Sequence, residues 1–298
     1  MKKILALFIS IVLMPVMSPA QVIVDDTWAD GGRSNGADLQ DTDWWYSTSS
    51  SAIEVGVGFL GLVSGTSGRG IHGTFASQPL NIGDTLTVTF TFTTPATVGT
   101  AKTSAFRVGL FDTTGKPGLA ADINASSGSP NAVYNNLSGY MMDLDVNNSP
   151  ADDISFRQRT NALSGQLMAT TADFEALPSG SGGTDYTFAA NTNYTGVLSL
   201  TRTGTDTLEL TGTLFQGATQ LSTYTATDSS GITSSFGLLA FHVNSTTFGS
   251  SATVNAPDNG IDFTEIKVEY LPVPEPSILA LCTLGAGLLF CRRSRSAH

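Results

Sequence analysis

The chain has 298 residues, of which 41% are hydrophobic and 13% charged; this excludes intrinsic disorder, because enough apolar surface is present to offset the entropy of ordering. Residues 22–271 carry nine basic and twenty-four acidic side chains, a net of −15, which repels phosphate backbones and argues against nucleic acid as a partner. Both cysteines, Cys282 and Cys291, lie near the end of the chain, so the body holds neither a disulfide nor a thiolate metal site.

At the start, Lys2 and Lys3 precede an apolar run at 4–16, and Ser18-Pro19-Ala20 places small residues before a cut at Gln21. This charged, apolar, small-residue order predicts a secretory signal peptide over 1–20. The alternative, an uncleaved membrane anchor, requires a longer apolar run. Next comes Trp44-Trp45-Tyr46, between Asp41-Thr42-Asp43 and Ser47-Thr48-Ser49. Aromatic faces stack on sugar rings and flanking polar groups bond hydroxyls, which makes Trp44, Trp45 and Tyr46 candidate glycan-binding residues. The competing reading is that one or two of these rings are core.

Residues 53–63 read as a glycine-rich strand. Gly56, Gly58 and Gly61 have the spacing of a dinucleotide-binding turn, but Leu62-Val63-Ser64-Gly65 follows instead of a helix, so that reading fails. From 85 to 92, Leu86, Val88, Phe90 and Phe92 alternate with threonines, the period of a half-buried strand. Further strands are predicted at 105–111, 139–146, 153–159, 236–243 and 261–270. Residues 195–203 and 207–215 form a hairpin around Gly204-Thr205-Asp206. Only residues 170–177, ended by Pro178, suggest a short helix. Many strands separated by Gly, Ser, Asn, Asp and Pro clusters predict one all-β domain over 22–271, a two-sheet sandwich.

The last segment, 272–298, has a different character. Val273-Pro274-Glu275-Pro276 is followed by an apolar stretch at 278–291 and then Arg292-Arg293-Ser294-Arg295. The prolines hold the chain extended. As a helix the apolar stretch is about 21 Å long, shorter than the ~30 Å hydrocarbon core. Pro274, Glu275 and Pro276, the short helix and Arg292-Arg293 together resemble the PEP-CTERM sorting signal of Gram-negative bacteria. The resemblance implies recognition by an exosortase-type processing enzyme, transit through the inner membrane with the arginines cytoplasmic, and delivery to the cell surface or beyond. Proteins of that family often accompany extracellular polysaccharide production. An ordinary C-terminal membrane anchor is the alternative for this tail.

Within the body, residues 106–111 and 200–204 are similar to concanavalin A-like jelly rolls of the laminin-G and lectin type, which implies a glycan-binding face without establishing one. Asp143, Asp145 and Asn147 have the alternating oxygen ligands that begin a calcium loop. Asn148 and Ile154 stand where an EF-hand needs glycine and glutamate, so any Ca2+ site would be lectin-like and draw also on Asp152 and Asp153; a solvated hairpin flanked by acids is the plainer reading. Glu265 and Glu269 lie about 13 Å apart along one strand, too far for paired acid catalysis. His72 and His242 sit in no metal or nucleophile motif. These readings favour an exported, non-catalytic envelope or matrix protein with extracellular polysaccharide as a partner. A jelly-roll glycan hydrolase or lyase and a self-associating matrix protein are the alternatives.

Overall fold

The computed structural model describes residues 19–34, 40–63, 67–99, 106–126, 128–147, 154–160, 163–178, 180–245, 247–248 and 260–273. Its strands are β1 (Gln21–Asp26), β2 (Trp44–Tyr46), β3 (Ile53–Gly56), β4 (Phe59–Leu62), β5 (Arg69–Pro79), β6 (Thr85–Thr93), β7 (Phe106–Phe111) and β8 (Gly139–Leu144). There follow β9 (Ile154–Arg159), β10 (Phe174–Ala176), β11 (Ser181–Gly182), β12 (Asn193–Gly204), β13 (Thr207–Gln216), β14 (Thr219–Asp228), β15 (Ser235–Val243) and β16 (Ile261–Leu271). They build two antiparallel sheets, so the chain is an all-β, two-sheet sandwich. Sheet A runs β11-β14-β13-β12-β6-β16-β4-β3, with β1 added along β16; sheet B runs β10-β9-β8-β7-β15-β5-β2.

Period-two alternation explains sheet A. Along β6, Leu86, Val88, Phe90 and Phe92 are fully buried, while the threonines between them point outward. Those hydroxyls pair across strands, Thr85 with Thr201 at 2.9 Å and Thr87 with Ser199 at 2.8 Å. Between the sheets, Phe92 meets Phe106 at 5.3 Å and Phe241 meets Phe263 at 4.5 Å. Each such ring contributes roughly 1.5–3 kcal/mol by leaving water. Within β16 of sheet A, the part-exposed Lys267 pairs with Glu269 at 3.1 Å.

Sheet B differs, because β7 and β8 are buried at every residue and β15 at nearly every one. One face packs on sheet A. The other is covered by residues 112–126 and 128–138, with short 3-10 turns at Pro117–Leu119 and Ala132–Tyr134, and by residues 163–173. This cover encloses a second core that includes Phe111, Leu119, Tyr134, Met141, Met168 and Phe174. Gly109 makes the close approach possible: a Cβ there would stand 2.6 Å from Met168 Sδ.

Two expectations are corrected. Residues 53–63 are not one strand but the hairpin β3–β4, turned at Val57-Gly58 with Gly58 at φ +83°, a conformation that glycine adopts without strain. Residues 170–177 contain no helix. Residues 174–176 form β10, paired with β9, and Phe174 packs beneath the Arg159 guanidinium, 5.3 Å from it; that tertiary contact overrides the weak helical pattern.

The predicted hairpin is present, with Gly204 pairing Thr207 across a two-residue loop. Strand β1 lies antiparallel to β16, Gln21 opposite Tyr270. At the end of β16, Asp84 accepts hydrogen bonds from Tyr270 Oη at 2.6 Å, Val273 N at 2.7 Å and Asn81 N at 2.7 Å. The signal segment 1–18, the sorting motif at 274–276, the tail helix at 278–291 and Arg292-Arg293 lie outside the described residues. Among those described, no helix is long and apolar enough to cross a membrane.

Candidate functional site

Strand β2 splits the aromatic triplet. Trp44 is in the main core, 1% exposed, with its Nε1 donating to Asp26 Oδ2 at 2.7 Å and its ring 6.2 Å from Trp28. Trp44 is therefore corrected from candidate glycan ligand to core. Tyr46 packs against the same core. Trp45, between them, emerges on the opposite face of sheet B, its ring 5.8 Å from His72.

Trp45 is part-exposed and lines a cleft of about 450 Å³ at the corner where β1 and β5 come together. Gln21, Gln40, Asp41, Asp43 and Gln78 supply its polar walls. The walls are held by hydrogen bonds to backbone carbonyls: Asp25 N donates to Gln40 O at 2.9 Å, and Thr42 Oγ1 donates to Thr74 O at 2.6 Å. Behind Asp41, burial pushes the Asp26 carboxyl up to about 6, against hydrogen bonds from Trp44 and Trp28 and with help from the Asp41 charge. The edge of β2 is fastened by Asp122, which takes a bidentate pair from Arg33 at 2.6 and 2.7 Å and accepts from Tyr46 N at 3.3 Å.

A second hollow, about 380 Å³, lies beyond Thr74 and is bounded by Thr113, Lys116, Pro117, Leu119 and Ala120. Thr74 lines both. His72 sits beneath the corner, donating from Nε2 to Leu119 O at 2.8 Å. Burial lowers its pKa to about 4, so it is neutral at physiological pH.

The residues predicted for calcium take other partners. Asp143 is buried between two arginines: Arg107 Nε donates to Oδ1 at 3.1 Å and Arg157 Nε to Oδ2 at 2.7 Å. Asp143 is thereby committed to two cations of the fold and does not present its oxygens to a metal ion. Asn147 Oδ1 accepts from Thr187 Oγ1 at 3.1 Å, and Asp145 is buried. Among the described residues no group of three or more His, Cys, Asp or Glu side chains is arranged to hold a metal. His242 lies near this network, its pKa lowered to about 3 by burial and then by the Arg107 charge.

Sequence reasoning reached Trp45 but missed its surroundings. Strand β5 carries Gly70, Ile71, His72 and Gly73 in a stretch buried on both faces, so no alternation betrays it. Gln21, Gln40 and Gln78 are too far apart in the chain for spacing to nominate them.

No protein-family model matches the chain, and no curated protein does. Among solved structures, the chain is similar to the Emp46p carbohydrate recognition domain in its potassium-bound form (12% identity, 83% of this chain and 95% of that one, TM-score 0.47). It is also similar to the VIP36 exoplasmic/lumenal domain in its Ca2+/Man3GlcNAc-bound form (10% identity, 84% and 90%, TM-score 0.47). A third is lectin I-B4 from Griffonia simplicifolia, metal-free (11% identity, 83% and 99%, TM-score 0.43). At these identities and TM-scores the likenesses carry over no ligand, metal or residue role.

Proposed function

We propose that the chain is an exported, non-catalytic polysaccharide-binding protein of the cell envelope or extracellular matrix. The binding reading is carried by one observation: the part-exposed Trp45 indole stands in a cleft whose lining includes the amides of Gln21, Gln40 and Gln78 and the carboxylates of Asp41 and Asp43. A ring of this kind stacks on the C–H face of a pyranose, and the surrounding donors and acceptors fix its hydroxyls. Export rests on the sequence: a signal peptide over 1–20 and a PEP-CTERM-type segment over 272–298, with an exosortase-type enzyme as processing partner and the inner membrane crossed in transit.

A pull-down of the full chain on insoluble polysaccharides tests the binding. The parent is retained and Trp45→Ala is not; equal retention of the two rejects the Trp45 cleft as the site. Repeating the pull-down with a chelator reads the part played by Ca2+. Mass spectrometry of the cell-derived protein tests the export reading, and an uncut terminus at His298 overturns processing.

A further inference from the structure

We infer that the Trp45 cleft and the hollow beyond Thr74 are two halves of one groove, which takes an internal stretch of an uncharged polysaccharide several sugar units long. The inference rests on the binding reading above and adds to it the length and the charge of the ligand.

The continuity of the groove is geometric. Thr74 lines both halves. The buried His72 contacts a lining residue of each, its ring beside Trp45 of the first half and its Nε2 bonded to the Leu119 carbonyl of the second. Trp45 of the first half and Leu119 of the second thus flank the same buried imidazole. Each has a volume within the usual ~300–1,000 Å³ of a small-molecule site, so the pair holds more than a single sugar. Ala76, Gly115, Pro117 and Ala120 along it are exposed, and a chain can continue past the site in both directions.

The charge follows from the walls. Asp41 and Asp43 stand in the first half beside the amides of Gln21, Gln40 and Gln78. Beside the first half, Arg33 is neutralised by Asp122 in a bidentate pair; Lys116, whose Nζ donates to the Asn135 carbonyl at 2.7 Å, is the cation of the second half and does not offset the acids of the first. A uronate chain laid here would bring its carboxylates against Asp41 and Asp43, and like charges brought together at an interface repel and suppress binding. An uncharged chain meets acceptors for its hydroxyls, amides that both donate and accept, and the Trp45 face.

The test is calorimetric titration of the full chain, kept in a detergent without a sugar head group. The ligands are glucan, mannan and galactan oligomers from disaccharide to hexasaccharide, with alginate oligomers of the same lengths alongside. The expected result is binding by a neutral series, tightening by about tenfold or more from disaccharide to hexasaccharide, with no binding of alginate. Ala120→Arg, which fills the far half from an exposed position, should reduce the hexasaccharide to the disaccharide's affinity and leave the disaccharide unchanged. Equal affinity at all lengths, an unaffected hexasaccharide in Ala120→Arg, or preference for alginate overturns the groove; if Trp45→Ala still abolishes binding in those cases, the cleft reading survives. Unchanged binding in Trp45→Ala, or no binding of any oligomer by the parent, overturns both.

Discussion

Trp44 and Trp45 are neighbours on one strand with their indoles on opposite faces of sheet B: Trp44 is tied to Asp26 inside the core at 2.7 Å, and Trp45 stands beside His72 at the open corner. This opposition makes the pair a paired test of stability against binding. Truncating a buried aromatic costs about 3–5 kcal/mol, which for a domain of this size lowers the melting temperature by roughly 10 °C. Trp44→Ala should show that loss in a thermal melt. Trp45→Ala should melt within a few degrees of the parent while losing polysaccharide retention in affinity electrophoresis.

Arg159 is the pin of the cover over sheet B. Its guanidinium donates to the carbonyls of Leu167, of Gln166 at 2.7 Å and of Tyr134 at 3.0 Å, and meets Asp173 Oδ2 at 3.3 Å. Replacing it by methionine keeps the stem but leaves a buried carboxylate and buried carbonyls without their cation. The expected loss is about 3–5 kcal/mol. Hydrogen exchange should show the loosening first in residues 163–174; uniform exchange across the protein would contradict the pinning role.

Acid acts on this fold in two opposed directions. The folded-state pKa of Asp26 is raised to about 6 by burial, and that of Asp262 is raised to about 6 by burial and then by the charge of Glu54. Their contribution is therefore greatest when both are protonated and is lost as pH rises through about 6. His72 and His242 are lowered to about 4 and about 3, chiefly by burial. Their contribution is present above their ordinary value and is lost as pH falls below it. Between pH 7 and 5, Asp26→Asn should thus lose melting temperature more steeply than the parent, and His242→Gln less steeply. Comparing slopes removes the constant packing loss of each variant.

Asp84 fastens the end of β16. Burial opposes its charge, but hydrogen bonds from Tyr270, Val273 and Asn81 outweigh burial and hold its carboxyl below the ordinary value, while burial and the bond to Asp84 push Tyr270 up to about 12. Asp84→Ala removes all three bonds and should cost about 1–3 kcal/mol. The accompanying rise in amide exchange should be confined to residues 270–273 and the turn at 81–84.

The sandwich was legible where one face of a strand meets water. Thr85–Thr93 alternates because its threonines are outward, and the same reason exposes the hairpin Asn193–Gly204 with Thr207–Gln216. Where both faces are covered the period is erased, and composition decides: β7, β8 and β15 stood out as apolar runs, whereas in Gly70-Ile71-His72-Gly73 two glycines and a histidine interrupt the run and β5 went unpredicted. In β14 the inward set includes Ser222 and Ala226, too polar and too small to mark a core face. The site was half legible. An aromatic triplet is visible in any sequence, but which ring is free depends on the phase of β2, set by Trp44 reaching Asp26 from another sheet.

The antiparallel pairing of β1 with β16 has a mechanical consequence. Gln21 and Tyr270 are opposite one another, so a pull applied at residues 21 and 270 in opposite directions loads one hydrogen-bonded pair at a time. β1 would peel away like an opening zipper, at low force, beginning at Gln21 and ending at Asp26, before the strands of either sheet are sheared.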